Sequence, residues 1–72
     1  MTLSVEKLTK QVYGVYSNLK CVGYIQQIDD LKFGVYRYNP NHSLLNQPKS
    51  KPIRKDTLTK LRNSIDTIKW SK

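Results

Sequence analysis

The chain has 72 residues, enough for one domain with a modest core, and its 13 Lys and Arg against 5 Asp and Glu give a formal net charge of +8. A single cysteine excludes an intramolecular disulfide, no Cys/His cluster has zinc spacing, and no apolar run approaches the roughly 18–20 residues of a membrane span. With no signal peptide in view, these features point to a soluble cytoplasmic protein without metal or other cofactor.

The first element predicted is a helix over residues 4–13. Ser4 suits an N-cap, Glu6 puts negative charge in the first turn, and Val5, Leu8 and Val12 recur at three- and four-residue steps. Gly14 weakens a helix, so residues 14–20 read as frayed helix or loop. Tyr13-Gly-Val-Tyr16 echoes Phe33-Gly-Val-Tyr36. Four residues are too few for a repeat, so coincidence is the simpler reading; the alternative makes 12–17 a third strand.

Residues 21–38 read as a β-hairpin, rich in Val, Ile, Tyr and Phe, with Asp29-Asp30 as its turn. A two-residue loop pairs Ile28 with Leu31, Gln26 with Phe33 and Tyr24 with Val35. One face then carries Val22, Tyr24, Ile28, Leu31, Phe33 and Val35 and is the buried one. The other carries Gln27, Lys32, Tyr36 and Tyr38, with Gly23 and Gly34 between them. A three-residue loop would swap the faces.

Asn39-Pro40-Asn41 ends the hairpin and opens a basic, proline-containing loop over 39–55, in which Ile53 could seed a short third strand. The last element is a helix over about 57–70, with Leu58, Leu61, Ile65 and Ile68 as one apolar stripe and Lys55, Arg62 and Lys69 along its flank. The expected fold class is therefore α+β, a small antiparallel sheet of two or three strands packed against the C-terminal helix and an N-terminal one.

Charge is lopsided. Residues 1–36 hold four basic against three acidic side chains, and residues 37–72 hold nine against two. A field of that sign favours a polyanion. Evidence for catalysis is thin: His42 is alone in a loop, Asp29 and Asp30 sit in a turn, and the glycines form no phosphate-cradling motif. The binding set is richer. Lys49, Lys51, Arg54, Lys55 and Arg62 could hold phosphates, while Lys32, Tyr36, Arg37 and Tyr38 offer stacking and base contacts from the hairpin.

The expected element order is similar to that of sheet-reading DNA-binding domains, and to that of double-stranded-RNA-binding domains and the ribonuclease toxins sharing their fold. No motif of those families matches residue by residue, so the similarity is one of topology. The function expected is non-catalytic nucleic-acid binding, DNA before RNA, because a two-stranded ribbon fits the DNA major groove. The alternatives are a protein-interaction module, such as a small regulator or inhibitor of mobile-element origin docking on an acidic partner, and a small ribonuclease using His42.

Overall fold

A computed structural model describes residues 3–68 and residue 70. Five strands, β1 (Leu3–Lys7), β2 (Val12–Ser17), β3 (Lys20–Gln27), β4 (Phe33–Arg37) and β5 (Arg54–Asp56), form one antiparallel sheet in sequential order. One short helix, α1 (Leu58–Asn63), follows and runs on into a 3-10 turn, Ile65–Thr67. This overturns the expectation of a two- or three-stranded sheet packed against a C-terminal and an N-terminal helix, and with it the topological similarity drawn from that element order.

The helix expected over 4–13 is instead β1, a turn and the start of β2. Two periods competed for the same residues. Val5, Leu8 and Val12 fit a helical stripe, but Leu3 and Val5 also alternate with Ser4 and Glu6, and that alternation is the one realised. Thr9 decides the matter locally, since its Oγ1 accepts from the Gln11 and Val12 N–H groups at 3.1 and 3.0 Å and turns the chain back on itself. Val and Tyr fill β2, residue types that suit a pleated surface.

β2 and β3 are joined by two residues, Asn18 and Leu19, with φ of 52° and 68°. Positive φ at both positions is the turn geometry that matches strand twist. Asn accepts it readily and Leu does not. A bulge then shifts the register, so that Val15 faces Gly23 and Tyr16 faces Cys21, leaving Val22 as the extra residue.

Between β3 and β4 the turn is longer than expected. Gln27 pairs with Phe33, Gln26 with Gly34, Ile25 with Val35 and Tyr24 with Tyr36. The turn is held by Asp29, whose Oδ1 accepts from the N–H groups of Leu31 and Lys32 at 3.1 and 2.9 Å. An odd-length loop inverts the relation between the strands, as a three-residue loop would have. Tyr24 therefore leaves the face of Phe33 and Val35, Ile25 replaces it there, and Ile28 and Leu31 end up 46% and 77% exposed.

The core lies on one face of the sheet. Val15, Ile25 and Val35, contributed by the three middle strands, pack with Leu61, Ile65 and Ile68. The apolar stripe of the last segment is thus buried as its spacing implied, although the helix stops at Asn63 rather than near 70. Ser64 ends it: its Oγ donates to the Lys60 carbonyl at 2.9 Å, and the chain tightens into the 3-10 turn. Lys69, placed on the helix flank from sequence, lies outside the described residues. Trp70 is not helical; its ring seats on Gly23, where an added methyl would collide with the ring and with the Tyr36 carbonyl.

Leu61→Ala should cost about 2–5 kcal/mol, a large part of the margin of a domain this size, read as a lower urea midpoint. Leu19→Gly should act in the opposite direction, adding about 0.5–1 kcal/mol by removing a left-handed Leu that is 99% exposed and makes no packing contribution. A Leu19→Gly midpoint at or below that of the parent chain would contradict the turn assignment.

Candidate nucleic-acid interface

The face of the sheet opposite α1 is built by the other half of the alternation. Its rows, read across the strands, are Glu6–Gly14–Tyr24–Tyr36 and Val12–Gln26–Gly34–Lys55, with Ser4, Tyr16 and Cys21 beyond them. The two Gly-Val-Tyr sequences prove to be one structural device used twice. On the strands flanking β3, each sends its aromatic and Val to the core side and its Gly and Tyr to the other. Tyr13 and Phe33 meet edge-on at 6.2 Å, while the Tyr16 ring leans over Gly14 and the Tyr36 ring over Gly34. A methyl at either glycine would approach the tyrosine ring to 2.7 or 3.0 Å.

Tyr24 and Tyr36 are stacked, with centroids 5.0 Å apart and planes at 12°. Tyr24 is only 3% exposed although it lies on the face away from the helix. The segment 47–50 accounts for this: Gln47, Pro48, Lys49 and Ser50 stand beside Tyr24, Tyr36 and Gln26 around a groove of about 600 Å³. Gln47 gives the loop its shape. Its Oε1 accepts from the Asn39 N–H at 2.7 Å, and its Nε2 lies 2.9–3.0 Å from the carbonyls of Asn39, His42 and Ser43. The loop returns to the sheet where the Ile53 N–H donates to the Val35 carbonyl at 2.6 Å; the short strand that Ile53 could have supplied begins instead just after it, as β5.

The expected binding residues divide between several places. Tyr36 and Lys49 come together at the groove, and Lys55 lies across from Gly34, over which the Tyr36 ring leans. Arg37 and Tyr38 border an adjoining groove of about 400 Å³ that shares Gln47, Pro48 and Ser50 with the first. Lys51 is exposed on the same loop, and Lys32 is exposed in the β3–β4 turn. Arg54 and Arg62 stand apart. Arg54 reaches toward the Thr67 hydroxyl at 3.5 Å, and Arg62 lines a cleft with Leu3 and Val5 on the helix side of the sheet. Tyr36 and Tyr38 are half-buried, their rings neither sealed in nor fully free.

Sequence reasoning missed Tyr24, Gln26 and Tyr16 on this face. The signal was present in the Gly-Val-Tyr echo, which fixes the facing of β2 and β4 and, through pairing, of β3. His42 is exposed in the loop, its carbonyl tied to Gln47. Cys21 donates its thiol to the Gly23 carbonyl at 3.3 Å, and burial pushes its pKa up, so the effect of Lys20 next door does not prevail. Among the described residues no group of three His, Cys, Asp or Glu side chains could hold a metal ion, and no helix is long and apolar enough to cross a membrane.

Burial, and next the neighbouring Tyr36, raise the Tyr24 hydroxyl above its ordinary value. The unfolded chain then loses this proton first as pH rises. Stability from Tyr24 is complete below about pH 9 and declines as pH climbs past about 10. Urea midpoints between about pH 8 and 11 should fall less steeply in Tyr24→Phe than in the parent chain; equal slopes would place Tyr24 outside the sheet–loop junction.

No protein-family model, no curated protein and no solved structure matches this chain.

Proposed function

We propose that this is a non-catalytic nucleic-acid-binding protein of the cytoplasm, with DNA favoured over RNA, and that its binding face is the tyrosine-bearing side of the sheet together with the loop 39–53. The observation that carries the reading is the grouping of Tyr36 with Lys49 and Lys55, continued by Tyr38 at the adjoining groove. Lys51 is exposed on the same loop, and Arg37, although it borders that groove, is paired with Gly23 in a core-side row. Cations beside aromatic rings supply the two attractions nucleic acid answers to, release of counterions from phosphates and stacking on bases. DNA is favoured because its major groove is open to a sheet, whereas duplex RNA keeps its base edges in a deep, narrow one. Arg54 and Arg62 lie off this face and drop out of the proposed contact set.

A second reading has one observation behind it. Leu19 is apolar, 99% exposed and held at positive φ, which suits a knob that docks into a protein partner. That reading expects capture of one stoichiometric protein and no dependence on Tyr36.

Four to five phosphate contacts predict a slope of about −4 in log K against log salt on duplex DNA, and about −3 on a single strand. Replacing Lys49 and Lys51 together with Gln should weaken binding alike for all sequences and reduce the duplex slope by about 2. Arg62→Gln, on the other face, should change neither. Absence of any shift of labelled duplex or single strand at low salt ends the proposal.

A further inference from the structure

The Tyr24–Tyr36 stack has a direction. Neighbouring strands lie about 4.8 Å apart, and the two ring centroids, on paired residues of adjacent strands, lie 5.0 Å apart with planes at 12°. The rings are therefore stacked face to face along the hydrogen-bonding direction of the sheet. One face of Tyr36 is used on Tyr24. Its other face looks toward β5, where the register runs on to Ile53 opposite Tyr36 and Lys55 is paired with Gly34, the residue the ring leans over. Lys55 is exposed, Tyr36 is half-buried, and β5 is the last strand of the sheet among the described residues. Gln26, paired with Gly34 from the other side and exposed, and Lys49 border the groove beside the rings.

We infer that the space between Tyr36 and Lys55 takes an unpaired nucleobase, stacked on the Tyr36 ring, with Lys49 and Lys55 on the flanking phosphates, so that single strands are preferred over duplex. The inference rests on the nucleic-acid reading and deepens it. A ring face can stack only on a base face, and a duplex hides its base faces inside its own stack. Unpaired bases expose them. Pro48, Lys49 and Ser50 beside the rings narrow the approach to the groove, which favours a single backbone over a duplex. The exposed Gln26 at the groove can meet a base edge, which would give a preference among bases rather than a requirement for one.

The test uses the full chain and three labelled probes: an oligothymidine of about 12 nucleotides, the same strand with abasic sites at its centre, and a duplex of equal length. The single strand should bind about tenfold or more tighter than the duplex, and loss of the central bases should weaken binding about tenfold to a hundredfold. The salt slope on the abasic strand should be unchanged, because its phosphates remain. Tyr36→Phe should bind as the parent chain does. Tyr36→Leu should lose the distinction between intact and abasic strands, with circular dichroism checking its fold. Equal binding of intact and abasic strands, or duplex bound as tightly as single strand, overturns this inference while leaving nucleic-acid binding in place. No binding of any probe at low salt overturns both.

Discussion

β3 is buried on both of its faces, and the rest of the molecule is arranged to meet that condition. Ile25 points to the helix side and is fully buried; Tyr24, one residue away, points to the opposite side and is nearly so. Alternation in a strand guarantees that adjacent residues leave in opposite directions, so burying both requires cover from two directions. Leu61, Ile65 and Ile68 supply one cover and the loop around Gln47 to Ser50 supplies the other. A sheet of this size with only a short helix has little apolar surface to spare, and using both faces is how it gathers enough.

That double use also explains what could be read from the residues and what could not. The apolar stripe Leu58, Leu61, Ile65 and Ile68 announced its burial, because a contribution to the core depends on spacing over a few residues. The length of the helix did not follow from it; the same side chains reach the core from a short helix and a 3-10 turn. Leu3 to Val12 was misread because its apolar residues satisfy periods of two and of nearly four alike, and the Thr9 turn that separates them has no Gly or Pro to mark it. The turn Asn18-Leu19 was hidden in the same way, since Leu occupies a position that Gly usually fills.

The facing of the β3–β4 hairpin depended on one integer, the parity of its loop. Asp29 draws in Leu31 and Lys32 and makes that loop odd, which moved Tyr24 and Gln26 onto the face with Tyr36. Of the cations grouped from sequence, Lys49, Lys51 and Lys55 sit where the loop returns to the sheet, while Arg62 went with the helix to the other side. Proximity along a chain brings charges together only when the elements carrying them share a face. The glycines of the two Gly-Val-Tyr sequences carried more information than their number suggested, because a ring laid over a glycine identifies its side of the sheet.

Gln47 meets backbone groups that a loop on a sheet would otherwise leave to water: its Oε1 accepts from one N–H, and the two hydrogens of its Nε2 are shared among three carbonyls within 3.0 Å. The wall it supports is therefore held in shape before anything approaches. For a ligand at the proposed site beside Tyr36, little of the contact energy would go into ordering that wall.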